Sequence, residues 1–500
     1  MGTHTVIAIA LVGYACAMLA FSSFWMRRIA KPADYLVGGR NFAFWVLIGT
    51  VTAGSIGPGV IIGASGLAYR HGWAGSAYPI GLASGTALVG ILFAVMRRHR
   101  FMTLTEEVAS YYGGNRIIIE FSNITLFFSQ LCWLTVMIMG GAAVLAAVTP
   151  LPSDLCAVAT ALIIAGIALP GGLKSVVYTD FLQAAILLSG FAVLTYSALS
   201  HTGGWVGLRQ SMPPAYFSFL GVASYGGWKA AGLIVTLALS VIADPGRRLG
   251  MYSARSESGA RWALVISGVI VVAFSASVGI TGMYAFHLNP HLVNPDECLL
   301  WLIINILPVW LAAMLVVSVT SGIVSCANWN AITAGTFFVR HIYPLITGRY
   351  PKRPLLTVRL SLVCAIAASA MIAVHAGTIV GFVVKFLPLT MSGLAIIILI
   401  GRFWRRSTWQ GALAALVVTP IASLAVMFSP ARAGFLNNAI IPAFVGMFAH
   451  VIVSLLTPPT SPGFEQVVEM MNRERRAVED KSLHRARATA ASDATPVSSG

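Results

Sequence analysis

The sequence predicts an all-α, polytopic membrane helix bundle of about thirteen spans, some of them discontinuous. Composition is the first ground: 57% of the 500 residues are hydrophobic and 10% charged, where soluble domains carry roughly a quarter charged residues. Patterning is the second, because the apolar residues gather in runs of about 20, the length that crosses a hydrocarbon core of ~30 Å. The third is the stretch from Gly49 to Gly66, where Gly54, Gly57, Pro58 and Gly59 crowd together. A helix entering at Phe42 is expected to lose its hydrogen-bond ladder near Ser55 and to resume near Val60. Unwound backbone at membrane depth persists only against protein or a cavity, and its freed carbonyls and amides can then hold a cation or a small solute.

The runs lie near 4–25, 42–67, 74–96, 118–148, 154–170, 179–199, 227–245, 261–285, 299–325, 356–376, 378–400, 409–428 and 438–457. The first is followed by Met26-Arg27-Arg28, so its charge lies on the wrong flank for a cleaved signal and it reads as a retained span with its N-terminus outside. Alternating sides from there puts most of the 32 Lys and Arg in inner loops, as the positive-inside rule requires. Arg70, Arg209, Lys229, Lys385 and Arg432 fall outside those loops. The net charge of +16 thus reflects membrane orientation and not nucleic-acid binding. A transporter unit is expected over 1–458, followed by a polar, largely disordered cytoplasmic tail over 459–500 with a short amphipathic helix near 464–478.

The six cysteines are scattered, with no CxxC and no His cluster, so neither a disulfide framework nor a structural metal is expected. No nucleotide-binding motif points to a cofactor. With no acid in mid-span, paired-carboxylate catalysis has nothing to stand on, and a membrane enzyme is not the reading. Asp180, in PGGLKSVVYTDFLQ, fits either a helix N-cap or a coupling role. Asp244-Pro245-Gly246 ends the seventh run, either as a second interruption five spans after the first or as the start of a loop. In that run Thr236 and Ser240 share a face. The ninth run ends SVTSGIVSCANWNAITAG; its hydroxyls and amides suit an alkali cation or, equally, helix–helix contacts. Lys385, in GFVVKFLPLT, either snorkels outward or faces a cavity, where it would meet a carboxylate.

Taken together, DYLVGGR at 34–40, the broken second span followed by GLAYRHGWAG, GGLKSVVYTDFLQ, ADPGRRLGMYSARSESGARWA and the long polar ninth span ending HIYP resemble the solute:sodium symporter family. The resemblance covers nearly the whole chain. It implies the leucine-transporter-type fold, with inverted repeats over about 42–199 and 227–400, one span before them and the spans of 409–457 after, working by alternating access.

By the same resemblance a sodium site takes the carbonyls of Ala53, Ile56 and Gly322 with Ser325 and Cys326, the last a soft thiol where relatives often place a hydroxyl. Ser55, Gly57, Gly59 and Val60, with Leu237, Ser240 and Val241, match solute-facing positions. They lack the acid, amide and aromatic set of sugar-binding relatives, so a small carboxylate or amino acid is expected, held by amides at the break and by Lys385. The expected protein is therefore an inner-membrane Na⁺-coupled symporter without cofactor, whose partners are lipid, solute and cation. Proton coupling and a non-transporting sensor are the alternatives.

Overall fold

The computed structural model describes residues 3–26, 43–101, 103–169, 173–349, 351, 353–429 and 440–473. The DYLVGGR motif and the tail beyond 473 lie outside the described residues, as do some side chains within helices, those of Asp180 and Ser325 among them. What is described is helical. Seven of the described helices are long and apolar enough to cross a membrane, and shorter apolar helices accompany them.

In chain order the helices are α1 (Thr3–Met26), α2 (Phe44–Ser55), α3 (Ala64–His71), α4 (Ala77–Phe93), α5 (Leu104–Tyr111), α6 (Arg116–Val148), α7 (Ser153–Ala168) and α8 (Leu173–His201). After α9 (Gly204–Gln210) come α10 (Gly227–Ile242), α11 (Pro245–Ser253), α12 (Glu257–Leu288), α13 (Cys298–Ile306), α14 (Val309–Phe337) and α15 (Tyr343–Thr347). The chain closes with α16 (Pro354–His375), α17 (Ile379–Leu387), α18 (Gly393–Phe403), α19 (Trp409–Phe428) and α20 (Ile440–Leu456). Residues 464–473 form a further helix, with Val467 and Val468 buried.

Side chains fix where helices start. Asn115 accepts from the amides of Ile117 and Ile118 at 2.9 and 3.4 Å to open α6. Thr103, Ser256, Thr378 and Thr408 do the same for α5, α12, α17 and α19. Small residues let the helices meet: a Cβ on Gly81 would lie 2.9 Å from Leu237 Cβ, and one on Gly85 2.8 Å from Val241 Cβ, so α4 and α10 pack nearly backbone to backbone.

One run divides differently from expectation, and for another the structure selects between two readings. The ninth, 299–325, is α13, a break at Leu307-Pro308, then α14. Pro308 has no amide for the ladder, and the residue before it is pushed into the extended region, at φ −87° and ψ 151°. The seventh run is continuous through α10, with Gly232 and no proline inside it, and gives way only at Ala243-Asp244. Its interruption is therefore at the helix end, where Asp244 caps α11, and not in mid-span. By contrast, the tenth and eleventh runs part at His375-Ala376-Gly377, with Gly377 at φ +72°, and α17 passes Pro388 into α18 through a π-turn.

At the end of α4 the bundle buries a charge pair. Arg248 and Glu107 are both fully buried, 3.3 Å apart, with the Arg248 guanidinium 3.8 Å from the centroid of Phe93. Tyr111 donates to Glu107 at 2.8 Å, and Tyr252 donates to its other oxygen. Nearby, Arg98 pairs with Glu257, and Arg97 donates to the Ala254 carbonyl at 2.6 Å. Removing one partner of such a pair strands the other charge. Glu107→Gln is expected to destabilise the purified protein by about 3–5 kcal/mol in unfolding measurements, and a double replacement, Glu107→Leu with Arg248→Met, to recover most of the loss.

Candidate functional site

The centre of the molecule is the gap between α2 and α3. Ile56, at φ −95° and ψ 60°, ends α2; Pro58 starts the next turn, and a π-turn over Gly59–Gly63 leads into α3. Pro58 has no amide to donate to the carbonyl four residues back, so the Gly54 carbonyl loses its helical partner. Arg247 supplies one. Its Nη2 donates to the Gly54 carbonyl at 2.8 Å and its Nη1 to the Val51 carbonyl at 3.0 Å. The cation thus sits at the negative end of the α2 dipole, nine-tenths buried. Asp244 steadies it: one carboxylate oxygen caps Gly246 at 2.8 Å and the other lies 3.7 Å from Arg247 Nε.

The break rests on α6 and α14. A Cβ on Gly140 would collide with Pro58 Cβ and lie 3.5 Å from Ile323, so α6 presents a notch into which the break fits beside α14. Ala53 and Ile56, on the break, and Gly322, next to Ile323, are the expected carbonyl donors. The Ala53 carbonyl already accepts from the Ile56 amide at 3.1 Å, which leaves it one lone pair. Gly322 has nothing within 4 Å of where a Cβ would be, and Cys326 is half-buried. The Ser325 side chain, and that of Asp180, lie outside the described residues.

Of the expected solute-facing positions, Ser55 is buried and donates to the Val51 carbonyl at 2.7 Å. Gly59 lies under the Tyr78 hydroxyl, where any larger side chain would collide. Val60 is buried, and the nearest side chain to Gly57 is Met137, 3.7 Å from its would-be Cβ. The hydroxyls of Thr52 and Tyr78 and the indole nitrogen of Trp133 are buried with no hydrogen-bond partner among the described residues. Leu237 and Val241 are buried, with their Cβ atoms close to Gly81 and Gly85 where α10 meets α4. Ser240 donates back to the Leu237 carbonyl at 2.8 Å.

Lys385 faces a cavity of about 300 Å³ that Arg70, His71, Lys229 and Asp296 also line. Asp296 Oδ2 accepts from the Ile379 amide at 2.8 Å, and a Cβ on Gly66 would lie 2.6 Å from Oδ1. Burial pushes the Asp296 carboxyl up to about 6, against the Ile379 amide and Arg70, which hold it down.

A span unwound at a proline, seated in a notch and flanked by a polar helix, defines a secondary transporter of the discontinuous-helix class. The chain belongs to the Sodium:solute symporter family, whose sequence profile matches residues 35–419. The sodium/pantothenate symporter of Escherichia coli (strain K12) is 24% identical over 430 residues, covering 82% of this chain and 88% of the relative. The sodium/glucose cotransporter of Vibrio parahaemolyticus is 23% identical over 482 residues, covering 87% of each. Among solved structures, a substrate-bound, outward-open Na⁺-coupled sialic acid symporter superposes with a TM-score of 0.73 at 16% identity, over 91% of this chain and 98% of that one. Mhp1, a nucleobase-cation-symport-1 family transporter, gives 0.53 at 14% identity, over 88% and 99%. These likenesses show the leucine-transporter-type fold. The protein is accordingly an integral membrane protein with a solute and sodium as its transported partners.

Sequence reasoning did not single out Arg247 beyond its side of the membrane, although an arginine closely following Asp-Pro-Gly at the end of a span is a usable signal. Asp296 and the buried Glu107 were also passed over, because their sequence neighbourhoods read as loops.

Arg247→Gln is expected to lower the melting temperature and to cut sodium-driven uptake about tenfold or more, since charge-assisted hydrogen bonds contribute roughly 1.5–3 kcal/mol. Arg247→Lys, a point charge that cannot fork between the Val51 and Gly54 carbonyls, should fall between. Asp296 binds a proton in the folded state at a pH where the unfolded chain has released it, so its contribution to stability falls as pH rises from the ordinary carboxylate range to about 6. Asp296→Asn should flatten that part of the stability–pH profile, measured by thermal unfolding.

Proposed function

We propose that the protein is a Na⁺-coupled symporter that moves a small organic carboxylate, or an amino acid, inward across the inner membrane by alternating access. The N-terminus then lies outside and the C-terminal tail in the cytoplasm. The observation that carries this reading is the seating of the break at Ile56–Pro58 in the Gly140 notch beside Ile323 of α14, the helix that bears the polar stretch.

In this arrangement sodium is held by the carbonyls of Ala53, Ile56 and Gly322 with the Ser325 hydroxyl and Cys326. Carbonyl and hydroxyl oxygens are hard ligands of the kind an alkali cation takes. The solute sits against Ser55, Gly57, Gly59 and Val60, with Leu237, Ser240 and Val241 on the neighbouring helix. Loading both sites changes the free energy of the open and occluded states together, and only then does the ion gradient drive the solute. Asp180 lies two turns inside α8, which begins at Leu173, so the N-cap reading falls and the residue is assigned to coupling. Proton coupling is the second reading, and Cys326 favours it, because a thiol is a poor sodium ligand.

The test is uptake and counterflow in proteoliposomes with labelled small carboxylates and amino acids. A carrier shows sodium-dependent accumulation and stimulation by unlabelled solute on the far side. Ser325→Ala should raise the half-saturating sodium concentration several-fold. An unchanged rate and sodium response in that variant removes the ion site, and accumulation that follows a pH gradient without sodium selects the proton.

A further inference from the structure

Arg70, Lys229 and Lys385 stand apart from the basic clusters that obey membrane sidedness, and they come from chain positions far apart. The fold brings them to one cavity of about 300 Å³, reached from the last turn of α3, the first turn of α10 and the last turn of α17. That volume lies at the lower end of the range of about 300–1,000 Å³ that small-molecule sites occupy. His71 and Asp296 share the lining.

Charge at the two ends of α4 is handled in opposite ways. Beyond its C-terminal end, Arg97, Arg98, Arg247 and Arg248 are committed to carboxylates or carbonyls. Beyond its N-terminal end, none of Arg70, Lys229 and Lys385 has a carboxylate within 4 Å among the described residues. Asp296, the acid that lines the cavity, is already engaged with the Ile379 amide and wedged against Gly66. The cavity therefore carries an excess of positive charge in partly dehydrated surroundings, where attraction for an anion is much stronger than in bulk water. Leu67, Leu233 and Val384 add an apolar side. Gly63, the last residue of the π-turn after the break, also lines it, so the cavity adjoins the proposed solute site.

We infer that this cavity is a capture site for the solute's carboxylate, in which Arg70, Lys229 and Lys385 concentrate small organic acids at the mouth of the transporter before the break receives them. The inference rests on the reading of the solute as an organic acid and adds a second, separable binding step. It also assigns Lys385 to the mouth and not to the innermost solute site.

The test measures thermal stabilisation of the purified full-length protein by propionate and succinate against their uncharged amides, propionamide and succinamide, with inorganic phosphate as a control anion. Stabilisation by the acids and not by the amides is expected, with succinate the stronger, and less by phosphate, which has no carbon chain to meet Leu67, Leu233 and Val384. Lys229→Gln and Lys385→Gln should each raise the half-saturating acid concentration about tenfold, equivalent to about 1.4 kcal/mol, and Lys229→Arg should restore it. Equal stabilisation by the amides or by phosphate, no stabilisation by either acid, or unchanged half-saturation in both glutamine variants overturns the capture site. The wild-type acid–amide comparison decides the matter even if a variant does not fold. Loss of acid binding in the variants supports the capture site even where sodium-driven counterflow is absent, a result that sinks the symporter reading alone. Counterflow with unchanged half-saturation in both variants sinks the capture site and spares the symporter.

Discussion

A backbone carbonyl in lipid must have a partner, and the most consequential carbonyl in this chain is that of Gly54. Pro58 deprives it of the helical amide, and Arg247, nearly 200 residues away in sequence, takes it up. Much else depends on that bond. It ties the start of α11 to the end of α2 and places the cation where the helix dipole welcomes it. It also gives Asp244 a reason to be where it is: that carboxylate caps the helix from which Arg247 projects. The break is therefore a joint with an arginine across it.

The scaffold holds the joint by subtraction. Gly140 leaves the notch for Pro58, Gly59 leaves room for the Tyr78 hydroxyl, and Gly81 and Gly85 let α10 lie against α4. Each is a place where a methyl group would push a helix away. Without a hydrophobic force between helices in lipid, such close approach is what sets their positions. The two ends of α4 then differ in their cations, which are bound to carboxylates or carbonyls on one side and, among the described residues, have no carboxylate within 4 Å on the other.

Much of this was legible in the sequence, and unevenly. The break at Ile56–Pro58 was readable because three glycines and a proline within six residues leave a helix no alternative. The division at His375-Ala376-Gly377 was readable for a similar reason. Pro308 was overlooked because the apolar run continues through it, and hydropathy does not register a missing amide. For Asp244-Pro245-Gly246 the sequence left two readings open, and the end of the run is where Pro245 stops the ladder. The close approach of Leu237 and Val241 to Gly81 and Gly85 depends on another helix, and no local pattern in α10 announces it. The roles of Arg247 and of the Arg70–Lys229–Lys385 cavity depend on contacts between residues far apart in the chain, which no local pattern encodes.

The fully buried pair of Glu107 and Arg248 bears on how that end of the bundle would admit water. Most closed protein seams are oily, and wetting them raises the heat capacity. Here water entering would also solvate a carboxylate, a guanidinium and two phenol hydroxyls, polar groups whose hydration lowers it and offsets the rise from the aromatic rings around them. Opening at this end should therefore carry a smaller heat-capacity change than parting greasy helices over the same area.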